Sequence, residues 1–568
     1  MRLFFPKLLC VGAAGALSAL AAVQPRAVIT AITAVTVNPT PVTRITKDVA
    51  TTSTSTSSTK ATSTAVVTTS TNSTTKLSST STKSTTTVIA TTSTTNTTTS
   101  QTASPTDILN GNRTEDIFAV SDIKGFYNLP DGGEVIKNAT LNATNIQGDI
   151  LIGMRKKMEA FYFFTINDAP GFKKKLHNDI MPMITDTLQL LSVSTQPLVA
   201  LNLAFSQSGF NKLGIIDNLQ DSVYSNGQTA DANNLGDTGT STWVPEFIGT
   251  KIHGVFLIAS DQQSLLAAQI TVLESILGTF ITKIYELDGQ IRPPPFEGHE
   301  MFGYLDGVSQ PAVAGFNINP VPGQQVINPG VILVGEPGDT LLPARPGWTK
   351  DGSFLVFRQL RQLVPEFNKF LWDQAPALTG MTQTQSADLL GARMVGRWKS
   401  GAPIDLSPLA DNPALGADPN QNNDFDFFHT GFNPTSDESH CPFAAHIRFG
   451  LFGEMHVTDA EIQTNSSSPE PDLERGLAFV SYQSRIDLGF QFIQRAWEND
   501  PGFPFGKIHN PGHDPISGQN NGAARFFAGY DISNTNLNLA MPTEFVVSRG
   551  GEYFFSPSIE ALRDFISV

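Results

Sequence analysis

Glu159-Ala-Phe-Tyr-Phe-Phe-Thr-Ile166 is dense in aromatic side chains and reads as a strand. The elements downstream of it set the architecture. Residues 170–191 have the pattern of a helix, and 198–205 and 253–259 read as strands. A second helix comes next, with Leu266, Ile270, Leu273 and Leu277 on one face. Ser260 and Gln263 are spaced for a capping box at its start. Residues 281–287 form a fourth strand. The order β-α-β-β-α-β over about 145–290 is that of a ferredoxin-like unit.

The remainder repeats the mixture less clearly. Residues 353–360, 478–483, 544–548 and 552–555 read as strands; 364–372, 386–395, 486–497 and a segment from Ser558 read as helices. The expected fold class is α+β, with two ferredoxin-like domains built on antiparallel sheets. Their expected bounds are 145–345 and 346–568, joined by the Pro/Gly-rich stretch 317–347.

Upstream of these units the chain changes character. Residues 1–22 have a basic start at Arg2 and Lys7, an apolar run and a small-residue end at Ala19-Leu-Ala21, the layout of a secretory leader. Residues 23–144 form an extension dominated by Ser and Thr between Thr30 and Ser104, which cannot bury enough apolar surface to offset its ordering entropy. It reads as a disordered, glycosylated stalk, with sequons at Asn72, Asn96, Asn112, Asn138 and Asn142, and a further one at Asn465. No later segment is apolar enough to cross a bilayer, so an extracellular location is expected. Cys10 leaves with the leader and Cys441 is then alone, so no intrachain disulfide forms and a large core or a bound group must supply stability. The net charge of −15 becomes −17 without Arg2 and Lys7, which disfavours nucleic acid and anionic membranes as partners. Nothing in the sequence sets an oligomeric state.

Two stretches carry the chemistry. Gly303-Tyr-Leu-Asp-Gly-Val-Ser-Gln310 holds Asp306 beside Gly307, with Gly303 three residues earlier. Gly303 and Gly307 let the backbone turn and approach a flat ligand closely; alone, Asp306-Gly307 would be an ordinary turn. Ser439-His-Cys-Pro-Phe-Ala-Ala-His446-Ile-Arg448 comes later in the chain. The nine histidines form no zinc signature, there being no Cys pair and no His-Glu-x-x-His.

These stretches resemble the dye-decolorizing peroxidases, haem enzymes that use hydrogen peroxide. Further similar segments are Ile146-Gln-Gly-Asp-Ile-Leu151, Asp351-Gly-Ser-Phe-Leu-Val-Phe-Arg358, Gly391-Ala-Arg-Met-Val-Gly-Arg-Trp398 and Arg475-Gly-Leu-Ala-Phe479. The resemblance implies haem b as cofactor, His446 as the proximal ligand of its iron, and Asp306 as the distal acid–base group. It implies Leu477 and Phe479 as lining of the distal pocket, with Gly303 and Gly307 flanking Asp306. Hydrogen peroxide and aromatic reductants such as dyes and phenols are the implied partners. Trp398 and Tyr482 are candidates for relaying oxidation to large donors at the surface, although both residue types more often simply pack.

One departure stands out. Family members carry a distal arginine in an Arg-Arg-Gly-Ile-Pro-Tyr-Gly-like segment after the ligand histidine. Here His446-Ile-Arg-Phe-Gly-Leu-Phe-Gly453 runs almost at once into Val457-Thr-Asp-Ala-Glu461. Arg448 is a poor substitute, because two residues span at most about 7 Å and the two groups belong on opposite faces of a wide ring. The gap is either a real loss or a misplaced intron boundary. The sequence is compatible with three functions: a secreted haem peroxidase; a haem-binding protein of the same fold with weak or no turnover; and a mucin-like surface glycoprotein whose globular part is an adhesin.

Overall fold

Residues 140–154, 156–191, 196–316, 319–448 and 475–568 are described in the computed structural model, with the backbone alone of 28–31 and 35–36. The leader, nearly all of the Ser/Thr-rich extension, the 457–461 stretch and Asn465 lie outside the described residues. From 140 onward these residues belong to one compact unit.

The aromatic stretch forms strand β1, Met158–Ile166, buried along almost its whole length. Its side chains alternate between two cores, as the two-residue period of a strand requires. Tyr162 and Phe164 enter one cluster with Phe256 and Leu273. Phe161 and Phe163 enter the other with Leu257, Phe357 and Phe554. A strand apolar on both faces must be covered on both, which places β1 in a sheet interior.

The neighbours are β2 (Val199–Phe205), β3 (Gly254–Ser260), β4 (Ile281–Gln290), β5 (Ser353–Gln362), β6 (Arg475–Gln483) and β7 (Val546–Ser556). They lie side by side in the order β6-β5-β7-β2-β3-β1-β4. Every neighbouring pair is antiparallel. The two halves of the sheet meet at β7 and β2, where Phe555 pairs with Phe205.

Helix α1, Ala169–Lys175, follows β1. The long helix expected over 170–191 is broken: the chain widens through Leu176–Ile180, tightens at Met181–Met183 and resumes at Thr187–Leu191. Pro182 lacks the N–H a continuous helix would need. Helix α2, Gln263–Leu277, buries Leu266, Ile270, Leu273 and Leu277 as expected. The expected capping box is absent, because Ser260 is the last residue of β3 and its hydroxyl donates to Leu198 O at 3.0 Å.

Helices α3 (Val364–Gln374) and α4 (Gln383–Val395) follow β5. A capping box starts α4: Thr382 Oγ1 accepts from Gln385 N–H at 3.3 Å, and Gln385 Oε1 accepts from Thr382 N–H at 2.9 Å. The helix expected over 486–497 begins only at Phe490, after a turn over 486–489 whose Ile486 N–H donates to Asp221 Oδ2 at 2.7 Å. The two short strands expected over 544–555 are one strand, β7, with an irregularity between Ser548 and Gly551. Met301, Phe302, Tyr304, Phe367, Leu390, Met394 and Ala444 form a third core. It locks the loop after β4 to α3, α4 and the segment leading to His446.

Leu273→Ala should cost about 2–5 kcal/mol of stability, since it empties a fully buried site. Ser275→Ala, exposed on the same helix, should stay within about 0.5 kcal/mol. Chemical denaturation of the two variants checks the contrast.

Candidate active site

Asp306 sits in the loop after β4, its backbone N–H bonded to Gly298 O at 2.7 Å. Gly303 and Gly307 have φ of 110° and 67°, values that a side chain would strain. Glu300 braces the loop by accepting from the N–H groups of Phe302 at 2.9 Å and Gly303 at 3.1 Å. Asp306 itself is buried. Its Oδ1 accepts from Gly307 N–H at 2.5 Å, and its Oδ2 has no hydrogen-bond partner among the described residues. Burial pushes its carboxyl up to about 7, while the Gly307 N–H and nearby His446 pull the other way.

His446 is fully buried in a short turn, His446–Arg448. Its Nδ1 lies 2.6 Å from Asp514 Oδ2 and 3.4 Å from Ser517 Oγ. Asp514 is held in turn: its Oδ1 accepts from Ile516 N–H at 2.8 Å and Ser517 N–H at 3.0 Å. Glu498 stands behind, accepting from Ser517 Oγ at 2.8 Å. Burial alone would lower the His446 pKa, but the Asp514 carboxylate outweighs it and raises it. Burial, with the Asp514 charge adding to it, pushes Glu498 up to about 7. An ionised carboxylate only accepts, so Nδ1 carries the proton. The lone pair of the neutral ring is then on Nε2, the nitrogen with which the ring would ligate a metal.

One cavity is lined by His446, Leu477, Phe302, Val395 and Glu300, among others. A neighbouring one is lined by Phe479, Phe490, Ile493 and Arg358. The two share Leu360, Ser517 and Val546. Mostly apolar walls with a few charged groups and one imidazole suit a flat, largely apolar metal macrocycle. Leu477 and Phe479 sit two residues apart on β6, so both point to one face of the sheet.

Arg448 lies elsewhere. It donates to Cys441 O at 3.1 Å and stacks over Phe427, 4.0 Å from the ring centroid. It lines a different cavity, together with His440 and Cys441. Arg358 does reach the larger cavity, but its guanidinium is bound to both Asp237 oxygens, at 2.7 and 2.6 Å. Trp398 and Tyr482 are buried, and Tyr482 Oη donates to Asp149 Oδ2 at 2.6 Å. Neither ring is presented at the surface, as expected of residue types that more often simply pack. Cys441, the one cysteine among the described residues, is buried and forms no disulfide.

Asp514, Glu498 and Ser517 escape the sequence reading. Asp514 is separated from His446 by 68 residues with no recurring spacing to flag it.

A family model described as the DyP dimeric alpha+beta barrel domain matches residues 145–293. A dye-decolorizing peroxidase of Exidia glandulosa is 52% identical over 467 residues, covering 79% of this chain and 92% of that protein. One from Auricularia auricula-judae is 48% identical, covering 82% and 94%. A crystal structure of a decolorizing peroxidase from Auricularia auricula-judae superposes with a TM-score of 0.71 at 50% identity, covering 75% of this chain and all of that one. The architecture is therefore the α+β fold with antiparallel sheets of these proteins. The chain belongs to the dye-decolorizing peroxidase family, and it is an oxidoreductase of that peroxidase type. That membership displaces the adhesin reading.

Asp514→Asn keeps the volume and removes the charge that orients the imidazole. It should weaken metal-centre affinity about 10–100-fold. Titrating apoprotein with hemin measures this.

Proposed function

We propose that the chain is an exported haem b peroxidase that reduces hydrogen peroxide and draws electrons from bulky aromatic donors such as dyes and phenols. The observation that carries this reading is the pairing of two buried groups in one region. One is an imidazole whose far nitrogen is held by Asp514; the other is Asp306, with one carboxylate oxygen left without a partner among the described residues. The two feel each other's charge. In this reading 1–22 is a leader and 23–144 a glycosylated extension. Residues 145–345 and 346–568 are two ferredoxin-like domains, the first carrying Asp306 and the second His446.

His446 would hold the haem iron through Nε2, and haem, when bound, supplies the redox chemistry for peroxide. The other roles fall to the chain. Asp514 keeps the proton on Nδ1, orienting the ring and raising its basicity as a ligand. Asp306 would accept a proton from hydrogen peroxide at Oδ2 and return it to the peroxide oxygen that leaves as water. Gly303 and Gly307 keep the loop free of Cβ atoms around that carboxylate. Leu477 and Phe479 exclude water, so that the proton moves between these partners and not into solvent.

Acting as a base, Asp306 must be ionised, so the rate falls as pH drops through its pKa. That pKa is about 7 in the protein alone, and a cationic iron centre lowers it. Asp306→Asn should retain haem, slow the reaction with peroxide by about 10²–10⁴-fold and erase the acid limb. Stopped-flow absorbance against pH measures both. A variant as fast as the parent at every pH would reduce Asp306 to a turn residue.

A further inference from the structure

We propose that Asp405, His429 and His440 form a second metal site, separate from the haem pocket, that takes a borderline divalent transition ion of the Zn(II) or Cu(II) type. One ligating atom from each residue lies within 4.8 Å of the others. A four-coordinate ion sits about 2.0–2.2 Å from nitrogen and carboxylate oxygen ligands. Small side-chain rotations therefore bring all three onto one ion.

The second observation is the carboxylate itself. Asp405 is 1% exposed, and its Oδ2 is buried with no hydrogen-bond partner among the described residues. Leaving a buried carboxylate oxygen without a partner forfeits its solvation with nothing in return, and native structures rarely leave one so. An ion would satisfy it. The carboxylate lines the same cavity as both imidazoles, one whose lining includes neither His446 nor Leu477.

The imidazoles are arranged for ligation. His440 Nδ1 lies 2.6 Å from the backbone carbonyl of Asp405. A carbonyl can only accept, so Nδ1 carries the proton and the neutral ring keeps its lone pair on Nε2. A ligating histidine characteristically anchors its other N–H on a carbonyl or carboxylate in this way. His429 Nε2 lies 3.0 Å from Asp405 Oδ1, where an ion can replace the shared proton. The two rings stack at 3.9 Å with Phe432 edge-on to both. The segment beneath is fixed, since Arg393 Nη1 donates to His440 O at 3.1 Å.

Two imidazoles and one carboxylate favour zinc or copper over magnesium or calcium, which take mostly oxygen. Three protein ligands leave a fourth position for water. Such an ion would pin the chain at 405 and 429 to the segment that carries His446.

The test uses untagged holoenzyme stripped with EDTA, dialysed against Zn(II) alone and analysed for metal. The parent should bind one equivalent of zinc that His429→Ala/His440→Ala lacks, with the haem spectrum the same in both. His429→Ala alone, changing only a partly exposed residue, should weaken zinc at least tenfold. Equal zinc content in parent and double variant would overturn the proposal, as would a parent that binds none. Failure here leaves the haem reading intact, because that reading depends on none of these residues.

Discussion

A buried imidazole keeps a definite nitrogen ready for a metal only if something holds the proton on the other. Here Asp514 does so from 2.6 Å, with its second oxygen occupied by two backbone N–H groups. Taking a carboxylate out of water costs several kcal/mol unless hydrogen bonds replace the solvent, and these three contacts do. The remaining architecture serves to bring this pair together. His446 follows α4 in the chain and packs near it, while Asp514 comes from the segment between β6 and β7. The third core, around Phe302, Tyr304, Phe367 and Ala444, then sets the Asp306 loop against them.

Several carboxylates share this interior, and they do not share one charge state. Asp514 is tied to a cation-prone ring and to N–H donors. Glu498 accepts from the Ser517 hydroxyl, a weaker donor than a cation, and its burial beside Asp514 keeps it protonated up to about 7. Asp306 is raised to about 7 by burial with one N–H to help it. Like charges in a dry site push pKa values apart. That repulsion acts on Glu498 beside Asp514, whereas Asp306 owes its raised pKa to burial.

Strands with strong aromatic alternation were legible from the sequence, as β1 and β5 illustrate. Burial on both faces leaves little choice to Phe161–Phe164. Helix limits were less so. Ser260 matched a capping box by type and spacing, yet strand pairing had already claimed it. A lone proline, Pro182, ended a helix that periodicity alone would continue. His446 and Asp306 were legible through resemblance and not through spacing, because a lone histidine or an Asp-Gly pair is common. Asp514 was not legible, since a contact across 68 residues leaves no local trace. Trp398 and Tyr482 are buried, and residue type alone does not reveal which large aromatic rings are.

The central claim is that His446 is the group by which this chain holds haem. Titrating the apoproteins of the parent and His446→Ala with hemin, followed by absorbance, tests it most directly. The parent should give a sharp one-to-one endpoint and a histidine-ligated spectrum. The variant should lose the endpoint, or show a spectrum without histidine ligation. The same endpoint and an unchanged spectrum in His446→Ala would contradict the claim.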